Sequence, residues 1–233
     1  MTVDHGTLSI EWSGLATVRI ESSDGTVVYF DPGRYGVLDD YDTRDGDLVC
    51  VSHVHHYDPD GIERVANDDA TVVVHEAVHH SETDRDVTPV RDLPFEVKRV
   101  DDETDTVEAG IILRTLAAYN QPDGPHVDEN GEPYHPKGRG CGFIVHVDGE
   151  RVCWPGDTDV LEGHAELDVS VFLPPIGGTF TMDRHEAADL AENLDPDLVV
   201  PIHYDTFDEI AVDAAAFAAD LEQRGVHVEL DES

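Results

Sequence analysis

At 233 residues, 39% of them hydrophobic and including seven Phe and seven Tyr, the chain suits one domain over 1–233 with a core of its own. A domain that long buries roughly 70% of the surface its unfolded chain exposes. Cys50, Cys141 and Cys153, odd in number and far apart, argue against a disulfide framework and for a reducing compartment. Fifty-two acidic residues against fourteen basic ones exclude a basic nucleic-acid-binding stripe.

In chain order, short β-branched runs dominate the first 117 residues, and no Pro/Gly/Ser linker interrupts them. The runs 17–20 and 26–30 flank Asp24-Gly25, a hairpin signal. Asp58-Pro59 followed by Ile62, Val65 and Ala66 reads as an N-cap, a proline at N1 and a short amphipathic helix. His75-Glu76-Ala77-Val78-His79 fits the H-E-x-x-H zinc-protease pattern, but a strand-like run leads into it and the polar stretch 80–86 follows. A turn or short helix at the surface is expected there instead. A second hairpin joins 142–147 to 151–154 through Asp148-Gly149.

Asp183 with Glu186 three residues later makes a capping box, and Ala187, Leu190, Ala191 and Leu194 form one helical face that ends at Asp195-Pro196. A last helix is predicted over 208–224, with Gly225 as its C-cap and a strand over 226–230 behind it. Many strands with few, widely spaced helices suggest an α/β (α+β) fold: two sheets face to face with helices outside.

Three apolar runs end in residues that bind metals. The run 47–51 leads into Ser52-His53-Val54-His55-His56-Tyr57-Asp58, the run 151–154 into Pro155-Gly156-Asp157-Thr158-Asp159, and the run 198–202 into His203-Tyr204-Asp205. Strand ends are rigid anchors from which loops can converge. Imidazole and carboxylate suit Zn²⁺ or a similar divalent ion, and His53 and His55, two apart in extended chain, can face the same one. One histidine after a strand is commonly a surface or core residue; three such ends in one chain favour a metal site.

These residues resemble the UlaG-like branch of the metallo-β-lactamase superfamily over nearly the whole chain. Trp12-Ser13-Gly14 through Phe30-Asp31-Pro32 is similar to its opening strands, Ser52-His53-Val54-His55 to its first metal motif, and Gly156-Asp157-Thr158 to its bridging-aspartate motif. The segments 173–182 and Val200-Pro201-Ile202-His203 are similar to its C-terminal part and last histidine. The resemblance implies a four-layer αββα sandwich with the metal site at one edge of the sheets. It implies a hydrolase in which metal-activated water attacks a carbonyl or phosphoryl centre of a small-molecule substrate.

The chain departs from this pattern in places. The usual first motif is H-x-H-x-D-H, whereas positions 57 and 58 are Tyr and Asp. A histidine usually follows the central strand, where this chain reads Ala117-Ala118-Tyr119-Asn120. His135, in the loop that follows, is the candidate replacement, with Asn120 the alternative. One or two ions (Zn²⁺, Mn²⁺ or another divalent metal) are expected. His53, His55 and His135 or Asn120 hold the first, and Asp157 bridges to a second held by Asp58 and His203. Asp157, Asp58 and His56 are the expected catalytic residues, and His56, Asp159 and Tyr204 assist proton transfer or orient ligands. Lys137 and Arg139 are either surface residues or contacts for an anionic substrate. The rival reading, favoured by Tyr57 and Asp58, is a scaffold that has lost its second metal.

The formal charge of −38, with lysine only at positions 98 and 137, is spread along the whole chain. Such a surface repels itself unless salt screens it, and at ~1 M salt the Debye length is about 3 Å. Met1-Thr2-Val3-Asp4-His5 carries no basic region or apolar stretch, and no run approaches the ~20 apolar residues of a membrane span. A salt-adapted cytoplasmic protein is therefore expected. Its thermal midpoint should rise steadily from low to molar KCl; a flat or falling curve would assign the acidic surface another purpose.

Overall fold

Alternation of side chains sorts the first half of the chain onto two faces of one sheet. The computed structural model describes residues 2–83 and 85–231; Met1, Asp84 (within the polar stretch 80–86), Glu232 and Ser233 lie outside it. Seven strands follow in sequential order: β1 (Thr2–His5), β2 (Leu8–Gly14), β3 (Thr17–Ser22), β4 (Val27–Phe30), β5 (Gly46–Val51), β6 (Ala66–His75) and β7 (Glu96–Val100). Pairing is antiparallel from β1 to β4 and parallel from β4 to β7. Val28, Phe30, Leu48, Cys50 and Val73 enter one core, while Val27, Tyr29, Val49, Val51, Val72 and Val74 enter another. With both faces covered, these strands read as near-continuous apolar runs.

The second core is closed by α1 (Pro59–Val65) through Ile62 and Val65. The first core continues into a six-stranded sheet. This sheet is built from β8 (Asp105–Glu108), β9 (Ile111–Ala117), β10 (Cys141–Val147), β11 (Glu150–Trp154), β12 (Val171–Phe172) and β13 (Leu198–Val199), side by side in that order. Phe30 and Phe143 stack between the sheets, ring centres 6.0 Å apart. Two helices, α2 (Arg184–Leu194) and α3 (Ala214–Arg224), add Ala187, Leu190, Phe217 and Leu221 to the same core. The result is the expected αββα sandwich.

Both predicted hairpins form, β3 with β4 and β10 with β11. Asp148 and Gly149 both have positive φ, 50° and 90°, as a two-residue hairpin turn requires. The capping box at Asp183 is present, and Asp195 ends α2 in left-handed conformation.

The C-terminal part differs from expectation. Residues Asp208–Ile210 make only a 3₁₀ turn, and α3 starts at Ala214 because the Asp213 carboxylate accepts from Ala216 N and caps it. The predicted last strand reduces to one bridge between Val199 and Val228, since β13 is two residues long and cannot carry a ladder further. The protease-like motif is no helix: His75 ends β6, its Nε2 lies 3.0 Å from Asp102 Oδ1, and its Nδ1 accepts from Ala77 N. Both nitrogens are engaged, so the motif binds nothing in the zinc-protease manner.

Candidate metal centre

Three chain segments that leave the sheets meet at one point. After β5, the backbone of His53 bridges to Gly140, and Cys141 N donates to Ser52 O at 3.1 Å. A Cβ on Gly140 would stand 2.7 Å from that of His53, so only glycine lets this loop come so close. After β11, Gly156 turns with φ +80° and delivers Asp157. Beyond β13, His203 takes a left-handed backbone, φ 58°, held by its N–H on Leu15 O at 2.8 Å. Left-handed backbone at a bulky residue is strained and persists where its surroundings fix it.

Asp157 Oδ2 lies 3.2 Å from His135 Nε2 and 3.3 Å from His203 Nε2. It is 3.6 Å from both His53 Nε2 and His56 Nε2. All five side chains are buried. His55 adds its Nδ1, 3.4 Å from His135 Nε2. Ligand atoms of His53, His55 and His135 lie within 4.8 Å of one another, as do those of His53, His56 and Asp157.

Neighbouring groups fix which nitrogen faces inward. Asp31 accepts from Ser52 N, Ser52 Oγ and Trp154 Nε1 at 2.7–2.9 Å and faces His56 Nδ1 at 3.1 Å. The proton of His56 therefore sits on Nδ1, leaving the Nε2 lone pair towards Asp157. His135 Nδ1 lies 3.1 Å from both Asn120 Oδ1 and Phe180 O, two acceptors, which selects the same tautomer. Asn120 is locked in turn by its amide donating to Asp159 and Phe180 O. Asp159 also faces His126 Nδ1 at 2.6 Å, and His126 Nε2 lies 3.0 Å from Gly178 O. The bond to Asp159 raises the His126 pKa.

Burial and mutual contact shift the cluster's groups in different directions. Burial opposes the charge of Asp157, but His203, His56 and His53 more than offset it and hold its carboxyl well below the usual range. Burial, aided by His56, pushes His53 far down, and loss of water with His135 alongside takes His55 to about 4. Burial lowers His56 too, yet Asp157 and Asp31 raise it overall. His53 Nε2 and Asp157 Oδ1 are buried without a hydrogen-bond partner. Each such atom costs about 1–3 kcal/mol, and an inward ring of lone pairs and carboxylate oxygens calls for a cation. Histidine and carboxylate donors fit Zn²⁺ or a similar divalent ion.

The structure thus brings together His53, His55, His56, His135, Asp157 and His203. It does not bring Asp58, expected as a ligand. Pro59 at N1 commits Asp58 to the N-cap, where Oδ1 faces Gly61 N and Oδ2 accepts from Arg34 N at 2.8 Å. His56 lines the cluster in its place. Asn120 orients His135, and Asp159 anchors Asn120. Tyr204, expected near proton transfer, instead stacks on Trp12 with ring centres 4.5 Å apart. Arg139 pairs with Glu82, and Lys137 lies over the Tyr119 ring. Asp31 was missed as a supporting group; its signal was an acid directly after the wholly apolar run 27–30.

Residues 9–203 match the beta-lactamase superfamily domain. A UPF0173 metal-dependent hydrolase from Methanoregula boonei is 31% identical over 188 residues, 77% of this chain and 76% of that one. Another from Thermococcus kodakarensis is 38% identical over 117 residues, so the match spans about half the length of that relative, 48%. A crystal structure from Parabacteroides distasonis shares the fold, with TM-score 0.76 and 21% identity over 99% of this chain and 97% of that one.

The exchange of Asp58 for His56 generates a test by elemental analysis of variants purified with Zn²⁺. His56→Ala should lower metal content by about half, since a lost imidazole ligand weakens one position. Asp58→Asn, which still caps α1, should retain its metal. The reverse pattern would return Asp58 to the ligand set.

Proposed function

The chain belongs to the metallo-β-lactamase superfamily and, within it, to the UPF0173 metal-dependent hydrolases, and from that membership we propose a hydrolase that works with two divalent ions, zinc or manganese, on the ester, lactone, amide or phosphodiester bond of a small molecule. The observation that carries this reading is Asp157 Oδ2, with four imidazole nitrogens within 3.6 Å. His53, His55 and His135 would hold one ion, and His56 and His203 the other, with Asp157 between them. When bound, such ions lower the pKa of water towards 7 and stabilise a developing oxyanion.

The chain's own residues supply position and protonation state. Asp157, held ionised by its neighbours, serves as an anionic anchor and not as a proton store near neutral pH. Asp31 keeps the proton of His56 on Nδ1, and Asn120 does the same for His135. The cluster opens onto a cleft of about 400 Å³, a size that suits a small molecule.

Tyr57 and Asp58, which favoured a scaffold that had lost its second ion, have structural roles here. Tyr57 Oη donates to Thr88 O, and Asp58 caps α1. His56 supports the two-ion reading. The charge of −38 supports a salt-rich cytoplasm as the setting, and no helix among the described residues is long and apolar enough to cross a membrane.

Metal-loaded protein in concentrated KCl should turn over at least one class in a panel of lactones, esters, phosphodiesters and β-lactams. Chelation should abolish that turnover, and Zn²⁺ or Mn²⁺ should restore it. A fully loaded protein inert to the whole panel would favour the scaffold.

A further inference from the structure

The mouth of the cleft carries a cation, Arg34, that no acidic side chain among the described residues pairs with. Arg34 lines the cleft together with His55, His56, Asp157 and His203. Its Nε donates to His55 O at 2.6 Å, and its guanidinium carbon stands 4.7 Å from the Tyr35 ring centre. Among the described residues its two Nη groups have no hydrogen-bond partner and its guanidinium no ion pair. Arg19, Arg114, Arg139, Arg151 and Arg224 are paired with acids, and Arg64 and Arg99 spend an Nη on backbone carbonyls. Fixing the His55 carbonyl needs only Nε, so it leaves the outer fork of the guanidinium unexplained.

The surroundings of Arg34 point the same way. Arg34 and Tyr35 are consecutive left-handed residues, φ 66° and 53°, a strained backbone that tends to occur at ligand clamps. Tyr35 is 59% exposed. It begins an arc of rings around the cleft: Tyr35 to Phe207 at 4.8 Å, Phe207 to Phe180 at 6.4 Å, and Phe180 to Tyr134 at 4.9 Å. All four line the same cleft. A planar fork beside a curved aromatic wall matches a molecule with an oxyanion at one end and an apolar body.

We propose that the substrate is a small molecule bearing a carboxylate or phosphate on an apolar body, with the Nη groups of Arg34 gripping the oxyanion and the Tyr35-Phe207-Phe180-Tyr134 arc receiving the body. The proposal rests on the hydrolase reading and names its substrate class. Bidentate geometry is what distinguishes arginine from lysine in this role. The net charge repels anions at long range, but at ~1 M salt the Debye length of about 3 Å confines that repulsion and leaves the contact intact.

Binding is measured apart from turnover, so the two readings can fail separately. Metal-loaded protein in concentrated KCl is titrated calorimetrically with benzoate, phenyl phosphate and neutral benzamide. One or both anions should bind at least about tenfold tighter than benzamide, the scale of a charge-assisted bond. The tighter of the two identifies the oxyanion. Arg34→Gln should bring the ratio close to one, and Arg34→Lys should recover part of it, with elemental analysis confirming that each variant keeps its metal. Equal binding of anion and amide by the unaltered protein would overturn the proposal. So would a preference that survives in Arg34→Gln, since the ions alone would then be taking the anion. Anion discrimination lost with Arg34 in a protein that hydrolyses nothing would uphold the anion site and sink the hydrolase reading alone.

Discussion

A carboxylate with almost no water around it, facing four imidazole nitrogens, is the interaction on which the rest of this molecule depends. Isolated, a buried charge like that of Asp157 is among the costliest things a fold can contain. Here His56 and His135 are turned so that Nε2 faces the carboxylate, an arrangement that calls for a cation. The αββα sandwich supplies what this arrangement demands: strand ends on both sheets that stop beside one another, stiffened by cores on either side. Gly140 and Gly156 let backbones approach where any side chain would collide, and left-handed His203 is held by Leu15. Such strain is tolerated because the surrounding sheets over-determine it.

Support for the cluster comes in two relays that start on different layers. From the first sheet, Asp31 gathers Ser52 and Trp154 and presents its remaining capacity to His56. From the loops of the second sheet, contacts run from Gly178 O through His126, Asp159 and Asn120 to His135. Both relays end on Nδ1 of a cluster histidine and leave Nε2 to the centre. Outer partners of this kind set tautomer and orientation and typically matter ten- to a hundredfold for affinity or activity, roughly as much as a poor ligand would. The loop 118–140 therefore belongs to the site although it has little regular structure.

Much of this could be read from the chain alone because the signals were local. Strand-to-loop transitions ending in His53, Asp157 and His203 marked the three converging segments, and the Asp183 capping box and the Asp148-Gly149 turn marked element ends. Asp58 satisfies two grammars at once: a carboxylate near a histidine motif and an N-cap before proline. Only the three-dimensional placement of Arg34 N and Gly61 N shows both oxygens turned to backbone N–H groups. His56 lines the cluster through a ring direction that spacing does not encode. The late start of α3 has a local cause: Asp208–Ile210 close a 3₁₀ turn, and Asp213, not Asp208, caps the helix through Ala216 N. Arg34 carried no sequence signal; only its place in the cleft beside His55 and Tyr35 brings it to notice.

The central claim is that Asp157 stands between two ions, the second held by His56 and His203. The most direct measurement is anomalous diffraction from crystals grown in high salt with Zn²⁺. The account predicts two peaks flanking Asp157, with ligand distances of about 2.0–2.2 Å, one reaching His53, His55 and His135 and the other His56 and His203. A single peak, or a second peak coordinated by Asp58 with His56 turned away, would contradict it.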